Sequence, residues 1–496
     1  MYDILVIGGG INGAGIARDA AGRGLKVLLC EKDDLAAHTS SASTKLIHGG
    51  LRYLEHYDFA LVRKALIERE VLLRAAPHII WPLRFVLPHH KELRPSWLIR
   101  LGLFLYDNLG GRKVLPATKT LNRKNSDVFE PLHAHFQKGF EYSDCWVEDA
   151  RLVVLNAMDA AERGATIMTQ TECVKLEPNG DGWKAVLNDN LGTEMTVNAK
   201  VVINAAGPWV DHVAGQAGSQ RNAPQVRLVK GSHIIVPKLF DDERCFIFQA
   251  ADGRVIFAIP YEDGRFTLIG TTDLPYEDDL NAVAASADEI KYLCDVSNEY
   301  FEEQITPDDV VSTYSGVRPL FDDQAEDASS VTRDYVLKRQ EHKGAVMLSV
   351  IGGKITTYRK LAEDALKSLK DAFPDAQTLW TENAPLPGGD IENADYSAFS
   401  ARCAIDYPWL ETATRDRLTR TYGTRIHTIL GAAKDPSDLG QHIGGGLYKK
   451  EVDYLIEREF ARSPEDILKR RTKLGLHLSP AEQTILHEQF QNRLVA

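Results

Sequence analysis

Cysteine is scarce in this chain of 496 residues: Cys30, Cys145, Cys173, Cys245, Cys294 and Cys403 lie scattered, with no CxxC pair. That usage excludes a disulfide scaffold and a cysteine-ligated zinc site, so no metal centre is expected and a reducing, cytosolic setting fits. Long apolar runs are missing as well. The most apolar stretch, near Trp97, is broken by Arg100, short of the roughly 18 residues that a bilayer crossing needs. The opening MYDILVIGGG has no basic region before its apolar run and no small-residue cleavage site after it, so no targeting signal is expected. Positive charge is outnumbered: 58 Lys and Arg stand against 70 Asp and Glu, a formal net charge of -12. Whole-molecule attraction to nucleic acid is thereby excluded, although local basic patches are not.

What is present is a sequence of alternating elements, long enough for two or three domains at about 150 residues each. Ile4–Ile7 is an all-apolar run of the kind found in a parallel strand buried on both faces, and glycines follow at once. Small and apolar residues from Ile11 to Arg23 predict a helix, and Lys26–Cys30 reads as a second strand ending at Glu31, which completes a βαβ unit. Val201–Ile203 reads as another buried strand. The middle of the chain changes character. Ser232–Pro237, Cys245–Phe248, Val255–Tyr261 and Phe266–Ile269 are short strand-like runs, and Asp263-Gly264 marks a hairpin, so an antiparallel sheet is expected. After Lys354, Leu361, Ala365, Leu366 and Leu369 recur at helical spacing until Pro374. Ala384–Asp390 (APLPGGD) reads as a Pro/Gly linker to a separate helical domain.

Gly8, Gly10 and Gly13 satisfy GxGxxG after a strand and at the start of a helix, with the acidic Glu31 about twenty positions on. In this context the pattern points to a dinucleotide. Gly8 permits the tight turn, Gly10 lets backbone approach a pyrophosphate, and Gly13 lets helix and strand pack closely. The helix N-terminus offers N–H groups to phosphates, and Glu31 can accept from ribose hydroxyls while repelling a 2'-phosphate. The fingerprint alone does not separate FAD from NAD. The polar run after Glu31, with Thr39, Ser40, Ser43 and Lys45 and then His48 beside Gly49-Gly50, looks like a loop along an extended cofactor, which favours FAD.

Read beside MYDILVIGGGINGAGIARDAAGRG, the segment HTSSASTKLIHGGLRYLEHY (38–57) closely resembles the FAD-dependent glycerol-3-phosphate dehydrogenases, membrane-associated, quinone-reducing enzymes of the D-amino-acid oxidase-like superfamily. EYSDCWVEDARLV (141–153), NAAGPWVD (204–211), VKGSHIIVP (229–237), IGTTD (269–273), TYSGVRPL (313–320), TRDY (332–335) and GGKITTYRKLAE (352–363) extend the likeness to about residue 390, and more loosely beyond. The resemblance implies an α/β fold: a Rossmann-type FAD domain (1–80, 141–215 and 340–385) interleaved with an antiparallel-sheet substrate-binding and membrane-facing domain (81–140 and 216–339), then a C-terminal helical domain (386–496).

For sn-glycerol 3-phosphate as substrate, oxidation at C2 needs a grip on a phosphate dianion, a base for the hydroxyl proton, and a flavin N5 for the hydride. Several cations must converge, because one exposed ion pair contributes only ~1 kcal/mol. The matching motifs supply Arg52, Arg333 and Lys354 for the phosphate, each otherwise a solvated surface cation, and Tyr53 as a hydroxyl donor, otherwise a half-buried core tyrosine. His233 is the candidate base, since histidine titrates near neutral pH. Arg318 would hold the C2 oxygen, assisting proton transfer or simply binding. His48 is a weaker rival that would shape the flavin loop. Gly353, Lys354 and Thr356, at the start of a helix, would face the flavin's negative end, Ala206 and Gly207 would pass close to the cofactor, and Cys173 and Val174 would line the adenine.

From Leu93 to Lys124 the apolar residues Trp97, Leu98, Leu101, Phe104, Leu105 and Leu109 recur at helical spacing among Arg94, Arg100, Arg112, Lys113, Lys119, Arg123 and Lys124. An ordinary amphipathic helix on the core has this pattern, and so does an interfacial helix on anionic lipid. The resemblance favours the second, hence peripheral attachment to the inner face of a bacterial cytoplasmic membrane with quinone as acceptor. Homo-oligomerisation is also expected. Three rivals stand: a glycerophosphate oxidase using O2, an amino-acid oxidase of the same superfamily, and a flavin-stabilised interaction module without turnover.

Overall fold

Short apolar runs without polar alternation build the first sheet. The computed structural model describes residues 1–218, 226–322 and 334–495. Tyr2–Ile7, Val27–Cys30, Thr166–Met168, Glu194–Asn204 and Ala345–Ile351 lie parallel, and Val27–Cys30 is buried along its whole length. Val336–His342 adds an antiparallel edge, and the hairpin Thr171–Asn179 and Gly182–Asp189 folds onto the first half of Glu194–Asn204. Ile7 pairs laterally with Cys30 and with Asn204, which pairs with Ser349. The carboxyl ends of these strands therefore open on one edge, where ligands of α/β sheets bind. Helices Ile11–Gly22, Asp149–Glu162 and Tyr358–Ser368 pack together against this sheet.

A ten-stranded second sheet runs Leu274–Pro275, Val226–Pro237, Phe266–Gly270, Val255–Tyr261, Cys245–Gln249, Ile80–His89, Lys138–Val147, Leu46–Ile47. Ser312–Phe321 also pairs with Val226–Pro237, and Lys119–Asn122 with Lys138–Val147. Every pairing is antiparallel except Cys245–Gln249 on Ile80–His89. The expected domain edges shift where strand pairing is continuous. Lys138–Val147 is paired with Ile80–His89 from end to end, so the segment 141–147 belongs with the second sheet. Val336–His342 is paired along its length with Ala345–Ile351, so 336–339 belong with the first.

The C-terminal region is helical as expected, with Tyr396–Asp406, Thr412–Tyr422, Lys449–Arg458 and Pro480–Val495 as its longer helices. The Pro/Gly segment leading into it is packed rather than a free linker. Leu386–Gly389 is buried, the Leu386 N–H donates to the Ala75 carbonyl at 2.9 Å, and the Thr424 N–H donates to the Gly388 carbonyl at 3.1 Å. The segment is thus a packed strap, because its backbone finds partners on both sides. One apolar cluster joins Leu72, Tyr358 and Leu361 to Tyr422, Leu455 and Leu468. Buried ion pairs cross the same boundary: Arg151 grips Glu459, and Arg471 grips Asp34 at 2.7 and 2.8 Å.

His78 sits in that boundary facing Gly388 and Gly423, and neither ring nitrogen has a hydrogen-bond partner among the described residues. Burial, then the positive charges of Arg151 and Arg420, pull its pKa down to about 3. A folded value below the ordinary one of 6.5 means that protonation favours the unfolded chain. The resulting stability is complete above that ordinary value and is lost as pH falls below it. His78→Leu should therefore flatten the loss of thermal midpoint between about pH 7 and about pH 5, where the native His78 contributes on the order of 2 kcal/mol. Melting curves across that range check it; an unchanged slope would show that His78 is not titrating there.

Candidate functional site

The carboxyl edge of the first sheet opens into a cavity of about 820 Å³, within the size range of cofactor pockets. Gly8 leaves the first strand at φ +111°, and a Cβ there would run into the Ala205 carbonyl. A Cβ on Gly13 would strike the Gly8 carbonyl, so first helix and first strand meet only because that atom is absent. Gly10 faces the cavity and Ser40, whose Oγ accepts the Ile11 N–H at 3.0 Å. The N-cap residue Gly10 has no side chain of its own to cap the helix, and no acidic residue sits in the first turn, so the N-terminus keeps its positive potential toward the cavity. Glu31 lies on the wall; its two oxygens accept the N–H groups of Gly9 at 2.6 Å and Asp33 at 2.9 Å. Burial raises its carboxyl above the ordinary value, against the pull of those donors. Ala206, Gly207 and Gly353 complete the rim. A glycine turn, a helix start facing the cavity and an acidic residue at the next strand end fit a dinucleotide such as FAD.

The polar run after Glu31 divides in two. Thr39, Ser40 and Ser43 line the cavity; Thr39 donates to the Val317 carbonyl at 2.6 Å and Ser43 to Asp149 at 2.8 Å. Lys45 does not line it. At φ +59° its chain turns behind the wall, where Nζ donates to Asp149 at 2.8 Å and to the Ser41 carbonyl at 3.0 Å. Val174 is exposed and off the cavity, because a bulge between Cys173 and Lys175 leaves its neighbour Cys173 facing inward. Thr356 is buried beneath the wall, its hydroxyl bridging the backbone of His48.

His233 faces the cavity from the second sheet. Its ring stacks on Tyr314 at 4.7 Å, its Nε2 lies 3.0 Å from the Thr44 hydroxyl, and its Nδ1 is buried without a partner among the described residues. Gly270 is its cross-strand partner, and a Cβ on Gly270 would overlap the imidazole. Burial, then the charges of Lys45 and Arg318, lower the His233 pKa to about 3, so the ring is neutral near neutral pH. His48, half-buried, is likewise lowered to about 4 by desolvation, then by the charges of Lys354 and Arg69.

A second cavity of about 540 Å³ shares Thr44, His48, Tyr53, Thr271 and Arg318 with the first. Arg318 Nη2 donates to Asp273 at 2.9 Å. Lys354 faces the first cavity with its Nζ over the Tyr53 ring, 3.6 Å from the centroid, and Arg52 faces the second. Gly50, at φ +76°, lets Tyr53 fold back over it, since a Cβ would meet that ring. The three described cations therefore border one double hollow; Arg333 lies outside the described residues. Sequence reasoning passed over Thr44, Tyr314 and Gly270 as partners of His233, and Asp273 as partner of Arg318. All four stand inside quoted motifs, but only the folded chain brings them to their partners, Gly270 and Tyr314 through strand register and Thr44 and Asp273 through the loops beside it.

On the outer side of the second cavity lies the helix Ser96–Leu109. Leu103 and Tyr106 point into the core, whereas Trp97, Leu101 and Phe104 are 69%, 48% and 56% exposed. Arg100, Arg112, Lys113, Lys119 and Lys124 are exposed nearby. Arg123 instead donates to the Leu132 and His133 carbonyls, and Arg94 pairs with Glu55 at 3.2 Å. No helix among the described residues is long and apolar enough to cross a membrane.

Comparison with known proteins supplies the family. The profile described as FAD dependent oxidoreductase matches residues 3–359, and that of the C-terminal domain of alpha-glycerophosphate oxidase matches residues 379–488. The D-erythritol 1-phosphate dehydrogenase of Brucella abortus is 54% identical over 491 residues, covering 99% of this chain and 98% of the relative. The glycerol-3-phosphate dehydrogenase of Pseudomonas aeruginosa is 52% identical over 493 residues, covering 99% and 95%. The crystal structure of the glycerol-3-phosphate dehydrogenase from Bacillus halodurans complexed with FAD superposes with a TM-score of 0.78 at 27% identity, covering 100% of this chain and 94% of that one. This chain belongs to the FAD-dependent oxidoreductase family, in the branch that carries a glycerophosphate-oxidase-type C-terminal domain, and FAD is its cofactor.

Proposed function

We propose that the chain oxidises sn-glycerol 3-phosphate to dihydroxyacetone phosphate and passes the electrons to a membrane quinone. The observation that carries the reading is the shared wall: His233, Arg318 and Lys354 face the cavity into which the glycine turn opens, and Arg318 and Tyr53 also border the hollow that Arg52 faces. Bound FAD supplies the hydride acceptor. The neutral His233 takes the C2 hydroxyl proton, with Thr44 and Tyr314 holding the ring in place. Arg318, held by Asp273, draws the C2 oxygen and lowers its pKa. Arg52, Tyr53, Lys354 and Arg333 receive the phosphate, where several cations outweigh the desolvation of a dianion. His48 shapes the loop between the two cavities, with its backbone tied to Thr356.

Quinone as acceptor is supported by the apolar side of the second cavity, with Leu87, Leu98, Leu101, Leu105 and Phe257, next to the outward Trp97 and Phe104. That face, with its exposed basic residues, would rest on the inner leaflet of a cytoplasmic membrane. A second reading of the substrate is favoured by the Brucella abortus relative, at 54% identity named for D-erythritol 1-phosphate. Both compounds are phosphomonoesters of short polyols, and both would satisfy the same cations and base.

Three measurements test these readings. Anaerobic glycerol 3-phosphate should bleach the oxidised-flavin band, and reoxidation should yield quinol rather than peroxide; kcat/KM at least about tenfold higher on D-erythritol 1-phosphate would transfer the assignment to the four-carbon substrate. Gly270→Ala should displace the His233 ring and lower kcat about a hundredfold, with flavin content retained; a normal kcat would remove His233 from proton transfer. Replacing Trp97, Leu101 and Phe104 together by Ser should shift the protein from anionic vesicles into the supernatant, since each buried side chain contributes ~1.5 kcal/mol or more, and unchanged sedimentation would reject the membrane face.

A further inference from the structure

Between the wall common to both cavities and the helix Ser96–Leu109 lies a buried network that the reading above leaves unused, with Asp144 bordering the second cavity. The Gly49 N–H donates to the Tyr106 hydroxyl oxygen at 2.7 Å, and that hydroxyl lies 2.8 Å from each oxygen of Asp144. Asp144 also accepts from Arg69 Nη1 at 2.6 Å, and the same nitrogen reaches the Ser143 carbonyl at 2.8 Å. Three elements remote in sequence thus converge on one backbone amide: Phe59–Ala75 through Arg69, Lys138–Val147 through Asp144, and Ser96–Leu109 through Tyr106.

That amide stands at a sensitive place. Gly49 follows His48, which lines both cavities, and precedes Gly50 and the turn Leu51–His56 that carries Arg52 and Tyr53. It is gripped from both sides, for a Cβ on Gly49 would lie 2.5 Å from Leu66 Cδ2 and 2.7 Å from the Tyr106 hydroxyl. Burial, then the adjoining Asp144, raises the Tyr106 phenol well above its ordinary value, so it stays a donor to the carboxylate while accepting from Gly49. A buried N–H stripped of its acceptor must move to find another. The other oxygen within reach is Asp144 Oδ1 at 3.4 Å, so the turn would shift toward it.

We propose that Tyr106 is a positioning residue for the phosphate-binding turn: anchored by Asp144, its hydroxyl fixes the Gly49 amide and so aims Arg52 and Tyr53 into the site. The proposal rests on the reading that Arg52 and Tyr53 receive the substrate's phosphate. Purified full-length holoenzyme is the material for the test, with glycerol 3-phosphate as substrate. Tyr106→Phe removes one oxygen and should raise KM about tenfold, the size of one lost buried hydrogen bond, with kcat within about twofold and flavin content unchanged. Leu103→Ala, fully buried on the same helix and outside the network, should lower the thermal midpoint and leave KM alone. Asp144→Asn, which weakens the anchor, should raise KM in the same direction and serves in place of Tyr106→Phe if that variant does not hold flavin. Equal KM for Tyr106→Phe and wild type, or equal KM rises in Tyr106→Phe and Leu103→Ala, would overturn the positioning role. Arg52→Ala separates the two levels: a raised KM there beside a normal KM in Tyr106→Phe defeats this proposal alone, whereas a normal KM in Arg52→Ala defeats the phosphate reading and takes the positioning role with it.

Discussion

The lateral register of the parallel strands decides where everything else sits. With Ile7 opposite both Cys30 and Asn204, the chain leaving each strand turns within the same small volume. The turns fit because a methyl group is missing at two places. The Ala205 carbonyl occupies the position of a Gly8 Cβ, and the Gly8 carbonyl that of a Gly13 Cβ. Both obstacles are backbone, which has no rotamer by which to retreat. The same closeness that forbids side chains here leaves room for an extended ligand along the strand ends, where a helix start presents main-chain N–H groups to it.

Around that edge and the second sheet, charges come in pairs. Lys45 is matched by Asp149, Arg69 by Asp144, Arg318 by Asp273 and Lys230 by Glu289. Burying an ion without a partner costs several kcal/mol, so pairing is the condition for having charges there at all. Glu289 also accepts the hydroxyls of Ser232 and Thr272, the neighbours of His233 and Thr271. Burial acts to raise its carboxyl, yet Lys230 and these donors hold it at about 2. The strand carrying His233 is thereby pinned by a permanent anion on the side away from the cavity. On the cavity side the ring meets burial and positive charge, which keep it neutral.

Features that depend on consecutive residues were legible in the sequence. The glycine turn, Glu31, the alternation of strands and helices, and the helical character of the C-terminal region all follow from local pattern. His233 and Arg318 were found through their motifs, but their partners were not. Thr44 meets His233 across 189 positions, and Tyr314 is placed against it by strand pairing. Such contacts are properties of register, which one chain read alone does not specify. Three residues expected on the cofactor wall lie off it, Thr356 because it is buried beneath the wall against the His48 backbone. Lys45 fails because a left-handed backbone turns it toward Asp149, and Val174 because a bulge sets it outside. The helix Ser96–Leu109 shows the same limit. Its spacing announces an amphipathic helix but does not say that Tyr106 points into the core while Trp97 points away.

The C-terminal region is tied in particular to a loop of the cavity wall. Ala36 donates its N–H to the Gly9 carbonyl at 3.1 Å, and Asp33 lines the cavity. Between them Asp34 accepts from Arg470 at 2.6 Å and from Arg471 at 2.7 and 2.8 Å. Two guanidinium groups and a carboxylate lose much hydration in such a place, and their attraction does little more than offset that loss. Their net contribution to stability is therefore modest, while their directionality is strict, because each planar guanidinium presents its N–H groups in fixed geometry. Removing either side would leave the other buried and unpaired. The arrangement consequently ties the position of the C-terminal helices to that of the Glu31–Ala37 loop, and a chain built this way gains from one continuous apolar core, since two bodies moving separately would repeatedly expose those charges to a medium that does not solvate them.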